Sequence, residues 1–208
     1  MKGLLLKDLY LMNRHCRSYL LILVVFLGVS LVNHDSLFFA IYPCLMAGMI
    51  PITLVSYDEA AHWERYSAVL PYTRAQVVTS KYLLGLAVEL AVALISLIAA
   101  GFRLNAEGAL SPERLLAEGS LLLCAGLLAP CVSLPVLFKV GAVRGRLINY
   151  LVIGIICGGS VLIAGLFNRG SNVQLHYAGI LPYLPLFSAA LYAASWRLAV
   201  AFYQKREL

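Results

Sequence analysis

Charged side chains are scarce in this chain. They account for 12% of its 208 residues, against 62% for hydrophobic residues, whereas about a quarter of the residues in a soluble domain are charged. Polar stretches are short as well, and the longest, residues 57–81, is far below the size that folds alone. The composition therefore excludes an ordinary soluble domain.

Sequence motifs for ATP binding and for metal binding are also missing. The sequence has no GxxxxGK[ST] loop, which excludes this way of cradling ATP phosphates. Its five cysteines show neither CxxC spacing nor a neighbouring histidine cluster. We therefore expect them to be apolar packing residues, and we expect no disulfide framework, no metal site and no cofactor bound by this chain.

The hydrophobic residues form blocks of membrane-spanning length. A transmembrane helix needs about 20 predominantly apolar residues to cross roughly 30 Å of hydrocarbon. Six blocks reach or approach this length, which predicts an all-α, polytopic membrane protein with a single transmembrane domain over residues 1–208. The predicted spans are 18–32, 37–56, 82–102, 115–138, 147–167 and 178–203, of which the first is short.

The basic residues predict the orientation, because they collect on the cytoplasmic side of a membrane protein. With the N-terminus inside, all but three of the 16 basic residues fall on the inside, the exceptions being Arg103, Arg114 and Arg169. We therefore expect both termini in the cytoplasm. The net charge of +6 is explained by contact with anionic headgroups, without nucleic acid.

Residues 1–17 have the pattern of an amphipathic helix that lies at the membrane interface. One side carries Leu4, Leu5, Leu9, Leu11, Met12 and Cys16, and the other carries Lys2, Lys7, Asn13, Arg14 and Arg17. Asp8 and His15 interrupt the pattern, because both fall on the apolar side. Two interpretations stay open: these residues contact protein rather than lipid, or the helix is a frayed interfacial segment.

Glu89 is the only acidic residue deep in a predicted span. An ionisable group at membrane depth is costly and suggests a function, such as a place on a translocation path. A structural, protonated or hydrogen-bonded carboxyl group is the alternative. The second, fourth and sixth spans also contain prolines, each of which removes a backbone donor and frees a carbonyl that needs another partner.

The polar segment between the second and third spans is the most informative part of the chain. Asp58 is a suitable N-cap and Pro71 stops a helix, which predicts a short helix over residues 58–70. Thr73 and Gln76 form a capping box that begins a second helix leading into the third span. Aromatic residues mixed with charges in the short helix suit a membrane interface or a protein-docking surface.

The same segment carries a resemblance. From Asp58 to Leu83 it reads DExxxWxxYxxxLPxxRxxxVxxKYL, which resembles the permease subunits of ABC exporters. It is most similar to the small six-helix permeases that include bacterial peptide-toxin and antimicrobial-peptide exporters. The opening sequence MKGLLLKDL is also similar to the amphipathic start of that family.

The resemblance implies a transport subunit of a bacterial plasma membrane that is not itself an enzyme. It implies export of hydrophobic or amphipathic peptides or other amphiphiles, with ATP and Mg bound by a separate cytoplasmic ABC ATPase. A second permease chain, identical or different, would complete the complex in the bilayer. The short helix would be the coupling helix that docks on the ATPase, through Asp58, Glu59, His62, Trp63, Glu64, Arg65 and Tyr66.

Two other classes of function remain as alternatives. A non-transporting membrane scaffold or immunity protein would share the same spans. An intramembrane enzyme would need paired ionisable groups at membrane depth, but Glu89 has no such partner there. The four histidines all lie at or beyond the ends of the spans: His15, His34, His62 and His176.

Overall fold

The structure of the chain is a computed structural model. It describes residues 2–32, 37–69, 71–106, 108, 111–141 and 183–205, together with isolated positions between 144 and 159. Within these residues there are no strands, in agreement with the predicted all-α class. The continuous helices are α1 (Lys2–His15), α2 (Arg17–Val32), α3 (Leu37–Ala60), α4 (Trp63–Val69), α5 (Arg74–Ala106), α6 (Pro112–Val140) and α7 (Leu184–Lys205).

Four of these helices, α3, α5, α6 and α7, contain segments long and apolar enough to cross a membrane. They correspond to the predicted second, third, fourth and sixth spans, so the chain is a polytopic membrane protein. Helix α2, with 16 residues, is shorter than these four, as its sequence indicated. The predicted fifth span, residues 147–167, lies largely outside the described residues, and the total of six stays a prediction.

The long helices pack into one bundle. Helix α6 packs along both α3 and α7, and α5 packs against α3, α6 and α7. Large aliphatic side chains of α3 and α6, such as Ile50, Leu54 and Leu134, are completely buried in the bundle. Capping follows the sequence: Ser111 accepts a hydrogen bond from the Arg114 amide at the start of α6.

Proline kinks are stabilised by contacts between helices. Pro135 cannot donate a hydrogen bond to the Cys131 carbonyl one turn earlier in α6. Ser195 on α7 supplies the missing donor, with its Oγ 2.7 Å from that carbonyl oxygen, and it also shares a 2.8 Å hydrogen bond with the Tyr82 hydroxyl. The prediction that a freed carbonyl finds another partner is therefore confirmed here.

A second freed carbonyl lies at the closest approach of α3 and α6. Pro130 leaves the Gly126 carbonyl without its helical donor. Gly48 lies against this oxygen, and a Cβ atom at position 48 would be only 2.7 Å from it. Glycine at position 48 is thus required by the close approach. By contrast, Pro185, which the sequence placed inside a span, lies in the first turn of α7 and interrupts no helical hydrogen bond.

Helix α1 packs on the bundle. It continues into α2 through a bend at Cys16, and it contacts α2, α3 and α5. Asp8 is completely buried, and the His15 ring lies 4.4 Å from the ring of Tyr57. Both residues that interrupted the amphipathic pattern therefore contact protein. Leu9, predicted on the apolar side, is exposed, and a position of α1 at the membrane interface stays a prediction.

The short helix predicted over residues 58–70 is divided in the structure. Helix α3 extends to Ala60, a turn follows, and α4 covers only Trp63–Val69. His62 has a φ of 52°, a left-handed conformation that ends one helix before the next begins. The Asp58 carboxylate makes ion pairs elsewhere and is not an N-cap. The predicted capping box is confirmed, since Thr73 and Gln76 exchange hydrogen bonds of 3.1 and 3.3 Å.

Candidate functional site

Four charged side chains from three helices meet where α3 ends and α5 begins. The Nζ atom of Lys81 on α5 lies 2.5 Å from Oδ1 of Asp8 on α1 and 2.5 Å from Oδ2 of Asp58 on α3. The Nζ atom of Lys7 lies 2.8 and 2.9 Å from the two oxygens of Asp58 and 3.3 Å from Asp8. We call these four residues the charge cluster.

The charge cluster is buried and formally neutral. Asp8 is 0% exposed and Lys81 is 2% exposed, while Lys7 and Asp58 lie nearer the surface. Ser80 donates a further hydrogen bond to Asp8 over 3.3 Å. Two cations balance two anions, so each charge has opposite charges beside it, as burial of ionised groups requires. The cluster therefore fixes α1, α3 and α5 to one another at this end of the bundle.

Helix α4 begins on the charge cluster. The Nζ atom of Lys7 lies 4.1 Å from the ring centroid of Trp63, the first residue of α4, in the range of a cation–π interaction. The Trp63 ring also packs against the hydrophobic core that contains Leu4, Val77 and Phe138. Its indole nitrogen is buried and has no hydrogen-bond partner among the described residues.

The remaining residues of the predicted coupling set divide into inward and outward positions. Glu59 points at the end of α6, where a Cβ atom on Gly141 would be 2.8 Å from its Oε1. His62 and Tyr66 are exposed, Tyr66 to 67%, and Val69 beyond them is 88% exposed. Glu64 and Arg65 belong to α4, but their side chains lie outside the described residues.

The last turns of α6 and α7 lie at the same end of the bundle. Arg74, at the start of α5, donates a 3.0 Å hydrogen bond to the Gln204 carbonyl of α7. The rings of Phe138 and Tyr203 pack edge to face, with their centroids 5.4 Å apart. Helix α4 therefore stands on a base to which α1, α3, α5, α6 and α7 all contribute.

Glu89 lies apart from this base, in the interior of the bundle. Its side chain is 1% exposed and points at α6, where a Cβ atom on Gly126 would overlap the carboxylate. The Cys44 thiol of α3 lies beside it. The structure thus puts Glu89 in the contact of α3, α5 and α6, whereas the other predicted site residues gather around α4.

Comparison with known protein families agrees with this architecture. A family model described as ABC-2 family transporter protein matches residues 3–204. The chain belongs to the ABC-2 transporter family. The resemblance seen in the loop sequence is therefore confirmed, and an ABC-2 permease is the membrane component of a transporter and is not itself catalytic. No characterised protein and no solved structure matches the chain significantly.

The sequence did not identify three members of the charge cluster in this ABC-2 permease. Lys7 and Lys81 were expected only as interfacial or orienting charges, and Asp8 was expected either to contact protein or to belong to a frayed interfacial helix. Lys81 carries a similar signal, because its neighbours on α5, Val78, Tyr82 and Leu84, are all buried hydrophobic residues. An acid on the buried face of one helix and a base on the buried face of another could have suggested that Asp8 and Lys81 form an ion pair.

Proposed function

We propose that the chain is the permease subunit of an ABC exporter that moves hydrophobic or amphipathic peptides, or other amphiphiles, outward across a bacterial plasma membrane. A separate cytoplasmic ATPase, which binds ATP and Mg, powers the transport. The observation that carries this proposal is the charge cluster, which anchors the first residue of α4 while Tyr66 and Val69 remain exposed. An exposed short helix that is fixed to a rigid bundle can transmit a displacement from a bound partner to that bundle.

The proposed coupling runs from α4 into the membrane through α5. The cluster joins Trp63 to Lys81 through Lys7 and Asp58, and Lys81 lies near the start of α5. Helix α5 is continuous over 33 residues, a length of about 50 Å at 1.5 Å per residue. A displacement of α4 would therefore move α5 as a rod, and the far end of the bundle would follow.

The membrane part of the proposal concerns the substrate and the second chain. Apolar helices with few charges suit a hydrophobic or amphipathic substrate, because the apolar part of such a substrate is stabilised by contact with apolar side chains. We propose that a second permease chain, identical or different, completes the path. A place for Glu89 on this path stays a prediction, and within one chain its carboxylate is enclosed by α3, α5 and α6.

The first experiment tests the ATPase partner. The permease, expressed together with the ABC ATPase encoded beside it, should purify as a stable complex whose ATP hydrolysis is stimulated by the permease in liposomes. Failure of every co-expressed ATPase to associate would contradict the proposal. Association without stimulated hydrolysis or transport would instead favour a scaffold.

The second experiment tests α4 as the coupling helix. Exchanging the charges of Glu64 and Arg65 (Glu64→Arg with Arg65→Glu) should uncouple ATP hydrolysis from transport while the protein remains in the membrane. The matched control exchanges Glu113 and Arg114 at the start of α6, which are exposed neighbours with the same charges. Unchanged coupling in the first variant, or equal loss in both, would remove the assignment.

A further inference from the structure

Glu89 is an acid buried without compensation. Neither carboxylate oxygen receives a well-oriented hydrogen bond within the described part of the chain, and the nearby Ser96 hydroxyl is also buried without a partner. The carboxylate occupies the notch that the missing side chain of Gly126 leaves in α6. This notch fits a carboxyl group closely, and no cation of the described residues forms an ion pair with Glu89 there.

No cation lies at this depth among the residues that the structure describes. On α5, Lys81 lies eight residues before Glu89, about 12 Å along the axis, and Arg103 lies fourteen residues after it, about 21 Å. Both are already paired, Lys81 in the charge cluster and Arg103 with Glu118 over 2.9 Å. The other predicted spans contain no lysine and no histidine, and their single arginine is Arg197.

Arg197 does not reach Glu89 either. It is exposed on α7, and the preceding Trp196 donates a 3.1 Å hydrogen bond to Thr79. Thr79 lies ten residues before Glu89, about 15 Å along α5. Among the described residues, an ionised carboxylate in the notch would therefore have no counterion and no hydrogen-bond donor stronger than the Cys44 thiol, and groups in that position neutralise instead.

We propose that Glu89 is a proton-binding site in the contact of α3, α5 and α6, and that the bound proton keeps this contact closed. The step is the association of one proton with one carboxylate oxygen, and no other reactant is needed. The inference concerns this chain alone and does not depend on an ATPase partner, so it can fail while the proposed function holds, and the reverse.

The surroundings of the site set the sign of its pH dependence. Among the described residues, its titratable neighbours are Cys44 on α3 and Tyr192 on α7, and Gly126 faces it from α6. Both neighbours are neutral when protonated, so neither supplies a positive charge to balance a carboxylate. Acid conditions therefore favour the closed contact, and loss of the proton favours any conformation in which α6 moves away and water reaches Glu89.

Infrared spectroscopy of the purified permease in liposomes tests the proposal directly, because a protonated carboxyl group has a C=O band that a carboxylate lacks. The wild-type protein should show this band at neutral pH and lose it at higher pH. Glu89→Gln should lack the band, since its amide mimics the neutral acid. The control Glu118→Gln should keep it, because Glu118 is paired with Arg103.

Two further measurements keep the proposal falsifiable if Glu89→Gln folds poorly. As the pH is raised from about 4, where glutamate ordinarily titrates, to the pH at which the band disappears, the thermal stability of the wild type should fall. Glu89→Gln should show no such fall. Gly126→Ala should move the disappearance of the band to lower pH by displacing the carboxyl group. A wild-type protein without the band at neutral pH, a band retained in Glu89→Gln, or an unmoved titration in Gly126→Ala would overturn it.

Discussion

The ammonium group of Lys81 donates a 2.5 Å hydrogen bond to the carboxylate of Asp8, which lies 73 residues earlier in the chain. Both side chains are buried. Charge-assisted hydrogen bonds of this kind are among the strongest in proteins. Because Asp8 is on α1 and Lys81 is on α5, this pair determines where the N-terminal helix is held against the bundle.

Removing one member of the pair should be costly. Lys81→Met leaves two buried carboxylates with a single cation and should lower the free energy of unfolding by about 3–5 kcal/mol. Denaturation in mixed micelles, followed by circular dichroism, measures this change. Lys2→Met removes the same group from an exposed position of α1 and should change stability by no more than about 0.5 kcal/mol.

A paired substitution should restore the charge balance of the cluster. Asp8→Asn alone leaves two cations with one anion, whereas Asp8→Asn with Lys7→Met leaves Lys81 paired with Asp58. We expect the double variant to recover part of the loss, with a coupling energy of about 0.5–3 kcal/mol. Additive losses in the same denaturation assay would show that the four charges do not act as one unit.

The contribution of Trp63 to stability should come from the size of its indole ring and not from its N–H group. Trp63→Ala removes the ring between Lys7 and the core and should cost about 3–5 kcal/mol. Trp63→Phe keeps an aromatic face and removes a buried donor that has no partner in the described residues, so it should retain most of the stability. Equal losses of thermal stability in Trp63→Ala and Trp63→Phe would contradict this interpretation.

The closest contact of α3 and α6 predicts a contrast among three glycines. Gly48→Ala and Gly126→Ala introduce a Cβ atom against the Gly126 carbonyl and the Glu89 carboxylate, and each should cost about 1–3 kcal/mol. Gly28→Ala on α2 meets no atom within 4 Å and should not destabilise, because alanine is the better helix former. Unfolding of the three variants in parallel makes the comparison.

Ser195 should be needed more while Pro135 is present. Ser195→Ala leaves the Cys131 carbonyl without a donor and should cost about 1–3 kcal/mol. In a Pro135→Ala background the helix regains its own N–H donor, and the cost of Ser195→Ala should fall to that of the lost hydrogen bond with Tyr82. Ser96→Ala is the control, because its buried hydroxyl has no well-oriented hydrogen-bond partner in the described part of the chain. A cost of Ser195→Ala that is independent of Pro135 would refute the link.

The exposed end of α4 should act in binding and not in folding. Tyr66→Ala and Val69→Ala should change stability by less than about 0.5 kcal/mol. Tyr66→Ala should nevertheless weaken the proposed ATPase complex by about tenfold or more, as loss of an aromatic anchor at an interface does, and Val69→Ala should weaken it less. Tyr10 on α1 is 70% exposed, and Tyr10→Ala is the matched control in the affinity measurement.

Local signals in the sequence were reliable wherever neighbouring residues decide the structure. The capping box at Thr73 and Gln76 and the N-cap at Ser111 depend on contacts within four residues, and both are present. The four long apolar helices follow from composition in the same way. The family was also recognisable, because its motif lies in one continuous segment between two helices.

Distant pairings were beyond the reach of local patterns. Asp58 has the right residue type and position for an N-cap, but ion pairs with Lys7 and Lys81 occupy its carboxylate and let α3 continue to Ala60. The backbone of His62, rather than Asp58, then separates the two helices. The notch for Glu89 likewise depends on Gly126, which lies 37 residues away on another helix, so periodicity along α5 could not indicate it.

The charge cluster also imposes an order on biosynthesis. Asp8 leaves the ribosome 73 residues before Lys81, a delay of roughly 4 to 15 s at ordinary elongation rates. During that interval the first apolar helix can enter the membrane while the acid that will hold α1 still faces water. Docking of the N-terminal helix is therefore a late step of assembly, and a nascent chain stalled before residue 81 should expose α1 to proteases.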